Sequence, residues 1–367
     1  MNQNPYLYLR GLRSVAHTVF AVQEGQKAYR DPNFGTLQAY ASGQQVKRNI
    51  LEALLIALDE PVAPVTFNWQ TKTEKGKGGA ADTVKFEQKE AWSPCDPSYP
   101  DQLLGGYMRA EGGGNTLKRR SPLSISAMRP LHPLLGGVER DTENLTFDRS
   151  DRAAHHVVRV RDEDGEELSP EALANVLAST GRTLPSRIWI PDQKRVTGLF
   201  VFDICLDLRT LFCVSTDPTE PQLGPGMLQK LLDLGWTRTV NHFGPALVAP
   251  AADRERFMSA LAKAMLNWRI VTNQSRTFSL QESLAVAIST QADEVAGAIR
   301  GQLYGGEGER QRARPILDET AGAELFVTLA AEGHVPNTTG QANALRKAEE
   351  SLLSHMKAFE YERQVAV

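Results

Sequence analysis

The side chains best suited to ligate a metal or carry a proton are seven histidines, His17, His132, His155, His156, His242, His334 and His355. None stands at a ligand spacing with cysteine or carboxylate. His155 and His156 are adjacent, and neighbours on a strand point to opposite faces. The sequence therefore predicts no metal site. Asp203 and Asp207 share one face of an apolar strand, four residues or roughly 13 Å apart, too far to share one metal ion. They read as exposed strand charges. No Gly-x-Ser-x-Gly elbow supports a serine nucleophile. Lys75–Gly79 lacks the spacing and the hydroxyl of a phosphate-binding loop. Nothing argues for catalysis or for a cofactor.

The remaining chemistry lies in basic clusters. Ser42, followed three residues later by Gln45, has the form of a capping box and predicts a helix start. Val46, Ile50, Leu54 and Leu58 recur at helical spacing, and Leu51 and Leu55 widen the stripe. Lys47 and Arg48 then fall in the first turn, where the helix already carries partial positive charge. Cations beside free backbone N–H groups make sense if an anion such as a phosphate docks there; a solvated helix face is the ordinary alternative. Lys118-Arg119-Arg120 precedes a second core strand, and Arg276 lies in the polar loop Thr272-Asn273-Gln274-Ser275-Arg276. All three clusters fall at the edges of core elements, which points to a groove that tracks phosphates.

The elements that must position these residues belong to a chain of 367 residues, enough for about two domains or one domain with large insertions. Apolar content of 41% and charged content of 23% are those of a soluble globular protein. A net charge of −3 gives no global pull toward nucleic acid, so any such site must be local. Cys95, Cys205 and Cys213 are too few and scattered for a disulfide framework, which suits a reducing cytoplasm. No signal peptide is evident at the N-terminus, and no apolar run approaches the roughly 20 residues of a membrane span. The expected location is cytoplasmic, with no membrane partner.

In chain order, Leu7 to Val22 reads as a long strand, with a possible bulge at Arg10, Gly11 and Arg13. The helix of residues 42–58 follows, and Pro61 and Pro64 end it. Residues 61–121 carry glycine-rich basic loops and read as a mobile insertion. A short strand follows Lys118-Arg119-Arg120, and 136–198 is a second irregular insertion. Arg195 to Val214 is the clearest strand. Helices are expected at 224–234 and 252–268, a strand at 284–289, then a helix at 293–303, a strand at 325–330 and a helix at 341–361. Stripped of insertions, the order is strand, helix, two strands, helix, strand. This is the split βαβ of an α+β ferredoxin-like or RRM-like fold, a fold that commonly binds single-stranded RNA.

These residues resemble a known family, the Cas seven-type (DevR-like, RAMP superfamily) backbone subunits of type I CRISPR effector (Cascade) complexes. Ser42-Gly43-Gln44-Gln45-Val46-Lys47-Arg48 resembles the family's Ser-rich turn and Leu-Lys-Arg at the first helix. Asp101-Gln102-Leu103-Leu104-Gly105-Gly106-Tyr107-Met108 is similar to its acidic-Leu-Phe-Gly-x-Met segment, with Leu104 in place of Phe and one extra Gly. Leu117 to Leu131 resembles its Lys-Arg-Arg-Ser-Pro-Leu stretch, and Asn273-Gln274-Ser275-Arg276-Thr277-Phe278 its polar loop. The matches run in order from about residue 7 to 289 and leave the tail uncovered.

The resemblance implies a modified RRM palm with finger and thumb insertions. Residues 1–60, 122–135 and 199–290 would form the palm, 61–121 the fingers, 136–198 the thumb and 291–367 a C-terminal extension. It implies a non-catalytic scaffold whose copies line up along a CRISPR RNA, present it to target DNA and join other Cascade subunits. The expected RNA contacts are Ser42, Gly43, Gln44, Gln45, Lys47, Arg48, Lys118, Arg119, Arg120, Asn273, Gln274 and Arg276. Two alternatives stand beside it: a metal-dependent ribonuclease of the same superfamily, with Asp31, Asp82 and Asp151 as loop aspartates, and a regulator that binds no nucleic acid.

Overall fold

A computed structural model describes residues 4–20, 26–74, 83–110, 116–140, 146–148, 157–184, 187–189, 194–271, 278–306 and 310–364. The first strand, β1 (Tyr6–Thr18), leads to a short hairpin, β2 (Ala28–Arg30) and β3 (Leu37–Ala39), and then to α1 (Gly43–Leu58). Stretch 61–121 folds as the hairpin β4 (Trp69–Glu74) and β5 (Thr83–Gln88), the short helix α2 (Pro100–Gly105), and a second hairpin, β6 (Tyr107–Arg109) and β7 (Leu117–Arg119). Next come β8 (Leu123–Ile125), β9 (Arg129–Pro130), β10 (Gly136–Arg140), β11 (Thr146–Asp148), α3 (Pro170–Thr180) and β12 (Arg187–Trp189). The second half runs through β13 (Lys194–Asp207), β14 (Cys213–Ser215), α4 (Met227–Asp233), β15 (Thr237–Asn241), β16 (Gly244–Val248) and α5 (Ala251–Asn267). It closes with β17 (Glu282–Ser289), α6 (Ala292–Ala298), the hairpin β18 (Ile299–Tyr304) and β19 (Arg312–Leu317), β20 (Glu324–Val327) and α7 (Ala344–Lys357).

The result is a mixed α+β architecture. Its principal sheet runs β10-β13-β1-β17-β20, with β8 and β9 also paired to β13. β1 is antiparallel to both β13 and β17, and β13 is antiparallel to β8 and β9. Alternation explains how both faces are buried. Leu7, Leu9, Phe200, Phe202, Ile204, Val286 and Ile288 join one apolar cluster with the core faces of α1, α5 and α7. Leu12, Leu199, Val201, Ala285 and Ala287 join the other, with Val295 and Ala298 of α6. Gly11 sits mid-strand because a Cβ there would lie 2.4 Å from the Phe202 ring. The register shifts of β1 occur after Leu12 against β17 and after Val15 against β13, not at Arg10 and Gly11.

Several expectations change. Asp203 and Asp207 are not free strand charges: Arg10 grips Asp203 with contacts of 2.6 and 3.1 Å, and Arg209 pairs with Asp207 at 2.8 Å. The expected helix over 293–303 stops at Ala298 and turns directly into β18. The expected strand 195–214 is two strands, β13 and β14, separated by a turn.

The chain divides into two compact units, Met1–Val138 with Val196–Val367, and Glu139–Arg195. In the second unit, β11 pairs with β12. Its helix α3 is capped by Ser169, whose hydroxyl accepts from Ala172 N at 3.2 Å, and buries none of its residues. Among the described residues, no helix is long and apolar enough to cross a membrane.

Candidate nucleic-acid interface

The first turn of α1 is built as its sequence dictates. Ser42 is the N-cap in extended conformation, and its hydroxyl accepts from Gln45 N at 3.4 Å. Val46, Ile50, Leu54, Leu55 and Leu58 are buried, each stabilising by about 1.5–3 kcal/mol when fully enclosed. The first turn contains no acidic residue. Among the described residues, no acceptor is recorded for the amides of Gly43 and Gln44, two of the donors that every helix start leaves open. Gln44 and Arg48 are exposed, while Ser42, Gly43 and Lys47 are half-buried.

Lys47 is the electrostatic anomaly of this turn. Burial alone pushes its ammonium down from 10.5 to about 8, and no carboxylate offsets the loss of water. Arg48 differs, because it pairs with Glu52 one turn along at 2.9 Å on an exposed face. Such a surface pair contributes only about 0.3–0.5 kcal/mol, so an incoming phosphate can displace it at small cost.

The packing of the turn fixes where it points. Ala41 and Met128 form a two-hydrogen-bond bridge of 3.0 and 2.9 Å. Immediately beyond it, Gly43 presses on the end of β8, where a Cβ would lie 2.5 Å from Ile125 O. Gly43 is thus required by the approach of helix to sheet, whatever else binds there. Gln45 is likewise occupied: its side-chain amide donates to Phe20 O. That bond commits the Gln45 Nε2 to a structural tie between the start of α1 and Phe20. Gln26 complements it, accepting from Phe20 N at 2.8 Å and donating to Lys27 O at 2.8 Å.

The basic triplet divides by strand alternation. Lys118 and Arg120 are exposed, but Arg119 is only 3% exposed. Its guanidinium donates to Leu103 O at 3.1 and 3.2 Å, to Cys213 O at 2.8 Å and to Thr210 O at 2.8 Å. Burial lowers its pKa, and carbonyl oxygens surround it in place of a carboxylate. Arg119 is therefore removed from the expected phosphate ligands; it clamps α2 to the β14 region. α2, which Arg119 clamps, packs its Gly105 against Leu51 of α1. Asn273, Gln274 and Arg276 lie outside the described residues, as do His155, His156, Asp82, Asp151 and the loop 75–79.

One cation was not singled out by the sequence. Arg129 is exposed on β9, directly after the Ala41–Met128 bridge that anchors the start of α1. Gly43, Gln44, Lys47 and Arg48 make a small surface of amides and cations suited to an anion, with Ser42 capping the turn. Arg129 pairs with Val201, whose side chain joins the cluster on the other face of the sheet from α1, and it stands as a separate exposed cation. Among the described residues, no group of three His, Cys, Asp or Glu side chains is placed to hold a metal ion.

No family model and no curated protein matches the sequence. Among solved structures, the chain is similar to one from a "CRISPR RNA-guided surveillance complex, pre-nicking", at 10% identity and a TM-score of 0.41, covering 96% of this chain and 88% of that one. A second, from a "CRISPR RNA-guided surveillance complex", is similar at 11% identity and a TM-score of 0.42, covering 96% of this chain and all of the other.

Proposed function

We propose that this protein is a non-catalytic CRISPR RNA-binding backbone subunit of a type I Cascade complex. The observation that carries this is the first turn of α1: among the described residues, open amides at Gly43 and Gln44, no acidic residue in the turn, and a half-buried Lys47 without a carboxylate partner. A backbone phosphate supplies the acceptor and the counter-charge that this turn lacks. Arg48 stands in the same turn, and Lys118, Arg120 and Arg129 are further exposed cations. Contacts to phosphates without base readout suit a carrier that must accept any spacer sequence.

The sheet order favours the palm reading as well. β8 and β9, β13, β1 and β17 lie side by side with antiparallel neighbours, and α1 and α5 join the cluster on one face. That is the arrangement a split βαβ fold requires. Copies bound side by side along one RNA would form an open heterologous array, and target DNA would pair with the guide so displayed.

The test is expression with and without a CRISPR RNA, followed by size measurement and the ratio of absorbance at nucleic-acid and protein wavelengths. Co-purification of RNA in a multi-copy particle is the expected result. A chain that stays an RNA-free monomer with guide present overturns the proposal. Replacing Lys47 and Arg48 by alanine is expected to weaken binding equally for all spacers and to lower the salt slope by roughly 1.4, about 0.7 for each lost phosphate contact.

A further inference from the structure

The hairpin β18–β19 belongs to the tail that the sequence resemblance does not cover. Its register pairs Arg300 with Ile316, Gln302 with Arg314 and Tyr304 with Arg312. Alternation therefore sorts its side chains cleanly. Ile299, Gly301, Leu303, Ala313, Pro315 and Leu317 share one face, and Arg300, Gln302, Tyr304, Arg312, Arg314 and the half-buried Ile316 share the other.

The base of the apolar face is seated on the protein, while Leu303 nearer the tip is exposed. Ile299 and Pro315 are buried, and a Cβ on Gly301 would lie 2.8 Å from His132 Cβ. The second face is consequently turned to solvent, with Gln302, Tyr304, Arg312 and Arg314 all exposed. Its charge is poorly neutralised. Arg300 pairs with Asp318 at 2.9 Å. Arg314 is held instead by a neutral group, donating to Gln302 Oε1 at 2.9 and 2.7 Å, with its guanidinium 5.8 Å from the Tyr304 ring centre. Among the described residues, neither Arg312 nor Arg314 has a recorded carboxylate partner. The tip, 307–309, lies outside the described residues.

We propose that this face is a second nucleic-acid site, in which Arg312 and Arg314 take successive phosphates of a single strand and Tyr304 stacks on a base. The two arginines stand roughly 7 Å apart along the strand, a spacing that matches neighbouring phosphates of an extended chain. Gln302 fixes Arg314 without cancelling its charge, and a base on Tyr304 extends the cation–π stack. An extended ribbon presents its groups in a line, as an extended polynucleotide does. The shared chemistry is a single-stranded phosphate backbone, and RNA or DNA could supply it. This proposal stands apart from the guide reading, because it uses neither α1 nor its flanking cations.

The experiment measures anisotropy of labelled oligouridylate and oligothymidylate, each about 20 nucleotides, titrated with the full-length chain over a range of salt. It is run in two backgrounds, unsubstituted and Lys47→Ala/Arg48→Ala, so that the α1 turn and the ribbon are read separately. In either background, Arg312→Ala/Arg314→Ala is expected to lower affinity on the order of tenfold and the salt slope by roughly 1.4. Tyr304→Ala is expected to lower affinity and leave the slope in place, because stacking releases no counterions. A loss confined to one oligonucleotide supports the site and identifies its strand. Unchanged affinity and slope for both, in a double variant with native circular dichroism, overturns the proposal. So does failure of the unsubstituted chain to bind either oligonucleotide at low salt.

Discussion

Lys47 ties the candidate site to a measurable pH dependence. Its ammonium is pushed down to about 8 by burial, so the free protein loses this charge as pH rises through that value. A phosphate beside it favours the charged form, so RNA binding above pH 8 must take up a proton. Affinity is therefore expected to fall as pH passes from 7 to 9, and Lys47→Arg, which stays charged, is expected to abolish that fall. Folding responds with the opposite sign. The folded pKa lies below the ordinary 10.5, so the unfolded chain binds more protons between the two values, and the contribution of Lys47 to stability rises with pH there. Two neighbours are structural and behave differently. Gly43→Ala drives a methyl into Ile125 O and is expected to cost about 1–3 kcal/mol in denaturant unfolding. Arg119→Met strands the carbonyls of Leu103, Thr210 and Cys213 and is expected to cost about 3 kcal/mol. RNA affinity of the folded fraction should stay unchanged, because Arg119 does not reach the surface.

At the scale of elements, α1 was the most legible part of the chain. Its cap, its apolar stripe and the prolines after it all act within one segment, and they place its ends at Ser42 and Asp59, as found. The rest was hidden wherever tertiary contact decided. Nothing within residues 293–303 says that the helix must stop at Ala298. The cause is the seat of Ile299 and Gly301 in a second layer, which pulls the chain into a strand. The basic triplet was misjudged for a related reason: three consecutive cations look alike in sequence, while a strand sends the middle one inward. The end of α1 also carries a correctable strain. Asp59 caps it in the left-handed region, φ 55°, and places a carboxylate at the negative end of the helix dipole. Asp59→Gly relieves both and is expected to raise unfolding stability by about 0.5–1 kcal/mol, net of the glycine's greater freedom when unfolded.

Across the whole molecule, the order of core elements could be counted from sequence, but their pairing could not. β1 meets residues near 200 on one side and near 285 on the other, contacts that no local pattern encodes. Those pairings also say which parts the fold can lose. Among the described residues, neither apolar cluster draws a residue from 141–193, and α3 buries none of its own. The chain on either side of that segment is already tied together: Leu199 N donates to Leu135 O at 2.9 Å, and Gly198, at φ 141°, lies where a Cβ would meet that same carbonyl at 2.4 Å. Replacing 141–193, the stretch between β10 and β13, by a short Gly-Ser linker leaves these contacts intact and shortens the loop that folding must close, a small gain in itself. The remaining unit is expected to melt in one cooperative transition within roughly 5 °C of the full chain, as scanning calorimetry would report. A broad, non-cooperative melt would mean that β13 does not hold its central place without the segment.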